Sequence, residues 1–281
     1  MKPYAFDYQR ATGADEAVAA LAALGEDARI LAGGQSLMAV MNMRLTQPQR
    51  LIDISRSESL SEVRIDNGRL RIGAAATQAS IEWRSQLAKE VPLLALAFPH
   101  ISHFQIRNRG TVCGSIAHAD PSAELPLCLL ALEGEVLLRS AKRRRTLKAV
   151  EFFTGMLLTA RAADEMVEAV RFPLVRSGAG HGFEEFAMRH GDFAVCAVAA
   201  VADSQRLRIA VGGVADRPVA RDFPILSGTA LADALNEFAW SLDARDEPQA
   251  SAALRRRLVR DLGRRAAEQA LANRIPSRSA T

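Results

Sequence analysis

The amino-acid sequence predicts an α+β protein in which a mixed N-terminal part is followed by a separate C-terminal α+β unit. Three observations carry that reading. The first 55 residues run helix, strand, glycine turn, helix, strand; a tight hairpin is written around Asn67-Gly68; and Pro and glycine cluster over 173–182, beyond which strand patterns lead to an Arg-rich helical tail. The chain has 281 residues, 49% apolar and 24% charged, which excludes disordered and fibrous architectures. At roughly 150 residues per domain, this length suggests about two domains and a sizeable core.

In chain order, Thr12 with Asp15 predicts a capping box, Val18, Leu21 and Leu24 share one helical face, and Gly25 ends that helix. A strand is expected over 29–32, a break at Gly33 and Gly34, helical spacing over 37–44, and a strand over 51–54. Segments 62–65 and 69–72 alternate around Asn67-Gly68, the preferred pair for a type I′ turn. A two-residue loop then sets Ile65 against Leu70 and Val63 against Ile72 on one face. Helices are expected over 78–89, from Pro92, and over 126–132, and strands over 135–140 and 165–172, with 142–145 an exposed turn. After the break come strands over 183–188, 193–201 and 207–211 and a helix over 249–273. In that last helix Arg255, Arg256, Arg257, Arg260, Arg264 and Arg265 read as a solvated face alternating with Leu254, Leu258 and Leu262.

Composition removes several functions. Thirty-six Lys plus Arg against 32 Asp plus Glu leave a net charge of only +4, and two Trp with two Tyr offer few rings for stacking, so no nucleic-acid partner is expected. The three cysteines, Cys113, Cys128 and Cys196, form no CxxC pair and no zinc spacing, which fits a reducing cytosol. The longest apolar stretch, ten residues over 193–202, falls well short of the roughly 20 that cross a bilayer. MKPYAFDYQR has no apolar run behind its lysine, so no secretory signal is expected. There is no GxxxxGK[ST] loop, GxSxG elbow or HExxH. Gly178, Gly180 and Gly182 precede a strand instead of following one, and read as linker. His100 and His103 lack a third ligand at helical spacing and read as a satisfied or exposed pair.

Two glycine loops stand out. In Ala32-Gly33-Gly34-Gln35-Ser36-Leu37, between a strand and a helix, adjacent glycines free the backbone and remove side chains that would hold a ligand off, so that successive N–H groups can form an anion nest. An ordinary strand-to-helix turn is the alternative. The second loop, Arg109-Gly110-Thr111-Val112-Cys113-Gly114-Ser115, is followed by Asp120 and Glu124. Backbone donors suit a diphosphate and carboxylates suit ribose hydroxyls, which is a nucleotide's order of parts. Alternatively, Asp120 caps a helix that begins at Pro121 and Glu124 sits in its first turn.

AGGQSL over 32–37 and IRNRGTVCGSIAHADPSAELP over 106–126 resemble the FAD-binding medium subunit of molybdenum hydroxylases, the xanthine dehydrogenase and aerobic carbon monoxide dehydrogenase group. RHGDFA over 189–194 and VGGVADRPV over 211–219 resemble that family's C-terminal domain, so the likeness spans nearly the whole chain. It implies a two-subdomain FAD-binding fold of the PCMH, vanillyl-alcohol oxidase-like type, with units 1–55 and 56–173, and a C-terminal α+β domain over 174–281. It further implies that Ala32, Gly33, Gly34, Gln35, Ser36 and Leu37 form one jaw on the FAD diphosphate, and Thr111, Val112, Cys113, Gly114 and Ser115 the other. Asp120 and Glu124 would hold the adenosine end, with Glu124 on the ribose; Ile101 would line the adenine pocket, and Phe193 would lie near the isoalloxazine ring. Cys113 stands where the family more often has glycine, and Ala39 where a proline is common.

Three cysteines cannot ligate a two-iron two-sulfur cluster, and the chain has no large molybdenum cradle. By resemblance, molybdopterin and iron–sulfur clusters belong to partner chains, a large molybdopterin subunit and a small iron–sulfur subunit, in a dimer of heterotrimers in the cytoplasm. Electrons would pass through the flavin to an external acceptor, with no catalytic acid or base and no metal ligand on this chain. Two alternatives are a self-sufficient flavin dehydrogenase or oxidase using His118 or His190 as base, and a non-catalytic anion-binding module built on the Arg-rich tail.

Overall fold

The computed structural model describes residues 2–274. The N-terminal sheet is parallel, in the order Asp7–Arg10, Arg50–Asp53, Ala28–Leu31. Its outer strand Asp7–Arg10 was not visible in the sequence, because Asp-Tyr-Gln-Arg on an exposed edge carries no apolar alternation. The helix Ala14–Leu24 buries Ala17, Val18 and Leu21 against this sheet. It starts behind Gly13 without a side-chain cap. The Thr12–Asp15 capping box is therefore corrected: Thr12 lies outside the cap, and its N–H donates 2.7 Å to the carboxylate of Glu16.

The second sheet is ordered Val63–Asp66, Arg69–Gly73, Met166–Pro173, Glu135–Arg139, Arg144–Lys148, every pair antiparallel. The hairpin has the predicted register, with Ile65 opposite Leu70 and Val63 opposite Ile72. Asn67 and Gly68 both take positive φ, 49° and 70°, as a type I′ turn requires. Being on the edge strand, Ile65 stays 49% exposed while Leu70 and Ile72 are fully buried. Residues 144 and 145 are not turn but strand; the turn closes earlier, where Ser140 N–H donates 2.9 Å to Arg143 O. Arg145 instead reaches across to Glu165, donating from Nε at 2.8 Å and from a terminal nitrogen at 2.7 Å. Short helices and turns over 78–118 pack on one face, and the helix Glu124–Ala131, buried along its whole length, fills the space between this sheet and the third.

The third sheet is a meander of Gly180–Ala187, Ala194–Ala202, Arg206–Gly212 and Val219–Pro224. Helix Glu124–Ala131 covers one face, and the helices Gly228–Ser241 and Ala252–Ala272 build the core on the other. Gly180 and Gly182 belong to its first strand and are not linker. A Cβ on either would strike a carbonyl oxygen of the C-terminal helix, of Ala270 and Ala266 respectively, so glycine is what lets helix and strand approach. That helix buries Arg255, Val259, Leu262, Ala266 and Ala270, a stripe offset from the Leu254–Leu258–Leu262 face the sequence suggested. Arg255 is not solvated: it is 2% exposed and donates to the carbonyls of Val195, at 2.7 Å, and Gly213, and to Glu247 at 2.5 Å. Charge alone hides such a position, since a buried arginine and a surface one look alike in a sequence. Among the described residues no helix is long and apolar enough to cross a membrane.

Glu165 is completely buried, and it holds its charge. Burial alone would raise its pKa, but the hydrogen bonds from Arg145 and from Ala162 N–H, at 2.8 Å, outweigh that and lower it. Glu165→Ala strands Arg145 and should cost about 3 kcal/mol of unfolding free energy, read by urea denaturation. In the parent protein the Glu165 contribution should fade as pH falls through the lowered carboxyl pKa, because protonation breaks the pair.

Candidate functional site

The strand Ala28–Leu31 delivers the chain into the turn Ala32–Ser36 and the helix Leu37–Asn42. Gly34 turns the backbone at φ 72°. Among the described residues, no acceptor takes the N–H groups of Gly33, Gly34, Gln35 or Ser36, and the Gln35 side-chain amide folds back to donate 3.0 Å to Gly33 O. Four successive free amides at the head of a helix make a concave set of donors suited to an oxyanion.

The second loop lies directly against the first. A Cβ at Gly33 would collide with the carbonyl oxygen of Arg109 and stand 2.6 Å from the Cα of Gly110, so the two backbones touch where only glycine allows it. Segment 76–78 braces this loop: Gln78 N–H donates 2.8 Å to Gly110 O, and Val112 N–H donates 3.3 Å to Ala76 O. Thr111 caps the helix Val112–His118, its hydroxyl accepting the Gly114 N–H at 3.0 Å. Thr111 thus satisfies the Gly114 N–H, and among the described residues the Thr111 and Cys113 N–H groups and the Thr111 and Ser115 hydroxyls are the donors of this loop for which no acceptor is found. Cys113 is ordinary helix, with no positive φ. Its thiol is sealed in the core against Ile72 O at 3.4 Å, and burial pushes its pKa up to about 12.

A cavity of about 330 Å³ opens beside the turn, lined by Gly33, Gly34, Gln35, Asp53, Ser55 and Arg109 among others. Sequence reasoning missed Asp53 and Ser55, and named Arg109 only as the start of the second loop. The one signal available for Asp53 was a carboxylate at the end of a buried strand, LID. It is buried, yet the hydrogen bonds from Tyr8 OH and Ser55 N–H, the latter 2.8 Å, lower its pKa against the upward pull of burial.

Beyond the helix, the chain turns at Ala119, φ 54°, into the acidic segment. Asp120 accepts the Ser122 N–H at 2.8 Å and closes the turn, but the helix starts at Glu124, three residues after the Pro121 start considered from sequence. Glu124 is 7% exposed, and burial, assisted by the charge of Asp120, pushes its pKa up to about 7. The third sheet reaches this segment through Gly213 N–H, which donates 2.7 Å to Pro121 O.

Ile101 is buried at a corner held by Arg107, which donates 2.7 Å to Ile101 O and 3.1 Å to Ser102 O. The turn before Phe193 rests on the same corner: a Cβ at Gly191 would lie 3.0 Å from His103 Cε1. Phe193, two residues beyond Gly191, is 65% exposed. His100 and His103 do not act as a pair, since the His100 ring packs on Phe183, 5.1 Å between centroids. Among the described residues, no three His, Cys, Asp or Glu converge as metal ligands.

Two touching loops of free amides, followed by the half-buried Asp120 and the buried Glu124, define a dinucleotide-binding protein of mixed α+β architecture. The comparisons narrow that class. Residues 4–175 match the family described as the FAD binding domain in molybdopterin dehydrogenase. The chain is 42% identical over 254 residues to the nicotine 6-hydroxylase medium subunit of Paenarthrobacter nicotinovorans, covering 85% of this chain and 88% of that one. With the carbon monoxide dehydrogenase medium chain of Hydrogenophaga pseudoflava it shares 35% identity over 227 residues, 79% of each. In solved structures it superposes on the Hydrogenophaga pseudoflava carbon monoxide dehydrogenase with a TM-score of 0.91 at 30% identity, covering 97% of this chain and 99% of that chain. The chain belongs to the molybdenum hydroxylase family as its FAD-binding medium subunit, an oxidoreductase component of multi-subunit complexes.

All three cysteines are buried, and burial holds their thiols far above neutrality. An alkylating reagent at about pH 8 should label none of them in the native protein and all of them after denaturation, counted by mass spectrometry. Labelling of Cys113 in the folded chain would contradict the packing of the second loop.

Proposed function

We propose that this chain holds FAD with its diphosphate against the Ala32–Leu37 turn and the Thr111–Ser115 loop, and relays electrons from a partner's iron–sulfur clusters to an external acceptor. The observation that carries the reading is the contact of Gly33 with Arg109 and Gly110 beside four unpartnered amides. The donor set fits: neutral N–H groups and the Ser115 hydroxyl for the diphosphate, and Glu124 with Asp120 for the ribose. Ile101 would line the adenine pocket, and the exposed Phe193 would lie near the isoalloxazine ring. When bound, FAD accepts electrons singly and releases them to a one- or two-electron acceptor.

The chain's own work is then binding and orientation. Gly33 and Gly34 keep the first amides bare; Thr111 holds the second loop rigid by capping its helix; Cys113 anchors that helix in the core. Burial around Glu124 excludes water from the adenosine end. We place the two cofactor subdomains at 1–55 and 56–173 and the C-terminal domain at 174–281. The partners are a small iron–sulfur subunit and a large molybdopterin subunit, paired as a dimer of heterotrimers in the cytoplasm. Support for the partnership comes from relatives named as medium subunits of nicotine hydroxylase and carbon monoxide dehydrogenase.

In Gly33→Val with Gly114→Val, the first new side chain meets the Arg109 backbone and the second brings a Cβ within 2.6 Å of Thr111 Oγ1. FAD affinity should fall at least about 100-fold, or about 2.7 kcal/mol, measured by flavin fluorescence, with the circular dichroism spectrum retained. Full FAD occupancy in a folded double variant would overturn the diphosphate assignment.

A further inference from the structure

The parallel sheet of the N-terminal part ends at the cavity beside the first turn. Asp53 closes its central strand, with Leu31 in register on one side and Arg10 on the other. Leu31 is the last strand residue before the donor-rich turn, and the Ile54 N–H donates 2.9 Å to its carbonyl oxygen, tying the two strand ends together. Ligands of parallel sheets bind in the crevice outside these carboxyl ends. The cavity of about 330 Å³ is lined by Gly33, Gly34 and Gln35 of the turn, by Asp53 and Ser55 at the end of the central strand, and by Arg109 of the second loop. That volume stands at the small end of the range for ligand sites, with room for a sugar and its phosphate but not for a whole dinucleotide.

The lining is polarised. Beside the free amides, Arg109 is exposed and forms no ion pair among the described residues. Asp53, in contrast, is buried, and its two oxygens take one donor each: the Tyr8 hydroxyl on Oδ2, and the Ser55 N–H, at 2.8 Å, on Oδ1. A carboxylate offers about four acceptor positions, so each oxygen keeps one. Burial pulls its pKa upward, but these bonds outweigh burial and leave Asp53 ionised at neutral pH. An ionised carboxylate only accepts: it repels a phosphate oxygen and can meet nothing but a donor of the ligand. In FAD the donors nearest the diphosphate are sugar hydroxyls, those of the ribose on one side and of the ribityl chain on the other.

Resting on the diphosphate reading above, we propose that Asp53 binds the cofactor directly, its carboxylate accepting a hydroxyl of the sugar that adjoins the diphosphate. The amides of 33–36 and the Arg109 guanidinium face the phosphates across the same cavity. Tyr8 and Ser55 fix the carboxylate, and the sugar fills the acceptor positions they leave.

The test measures the affinity of the full chain for FAD by flavin fluorescence, and by calorimetry for ADP and for FMN, each a phosphate carrying one of the two sugars. Asp53→Asn keeps the size of the side chain and can still accept the Ser55 N–H. With a parent-like thermal midpoint, it should bind FAD at least about fivefold more weakly. The same factor should be lost for one half alone: for ADP if the hydroxyl belongs to the ribose, for FMN if it belongs to the ribityl chain. Asp53→Ser, whose hydroxyl suits the same turn, should show the same selective loss. Tyr8→Phe leaves the carboxylate in place and should bind FAD within about twofold of the parent. FAD affinity in Asp53→Asn equal to or above the parent's overturns the proposal. So does an equal loss for ADP and FMN, or a loss in Tyr8→Phe as large as in Asp53→Asn, because either makes Asp53 a prop for the turn. The diphosphate reading fails separately, through full FAD occupancy in the folded Gly33→Val, Gly114→Val variant, and takes the Asp53 role with it. Loss of FAD there beside parent-like binding in Asp53→Asn overturns the role of Asp53 alone.

Discussion

Much of the molecule depends on one close approach: the backbone of Gly33 against Arg109 and Gly110. The first turn belongs to a small parallel sheet and the second loop to a helix seated on the antiparallel sheet, so their contact joins two separately built layers. Each loop leaves backbone donors unsatisfied. Such donors are costly when buried and useful when an anion can meet them. The surrounding bonds serve to keep them bare and rigid: Gln78 on Gly110, Thr111 on Gly114, and the Cys113 thiol on Ile72.

The third sheet is part of the same construction. Arg255, buried in the C-terminal helix, gathers the carbonyls of Val195 and Gly213, and the Gly213 N–H holds Pro121 in the acidic turn. Through that link the C-terminal helix steadies the segment carrying Asp120 and Glu124, while the Arg189–Asp192 turn leans on the Ile101 corner. The family match covers 4–175, yet Gly213, beyond it, holds the turn that leads to Glu124.

How much of this was legible in the sequence varied with the kind of signal. The Asn67-Gly68 hairpin was readable down to its register, because side-chain alternation and turn chemistry agree there. Both glycine loops were readable as donor-rich turns. Their contact was not, since no local pattern in 32–37 refers to 109–110. Arg255 was read as solvated for a related reason: it is a charged residue whose burial is decided by packing partners distant in sequence. Gly180 and Gly182 misled as linker because glycine serves loops and close helix–strand packing alike. Strand Val219–Pro224 and helix Gly228–Ser241 lie where the sequence reading assigned no element.

The central claim, that amides from two distant loops close on one diphosphate, is tested most directly by amide hydrogen exchange with and without FAD. Protection should rise together in 33–36 and 113–115, with smaller gains at 120–124. Protection confined to one loop, or appearing elsewhere while both loops exchange as before, would contradict it.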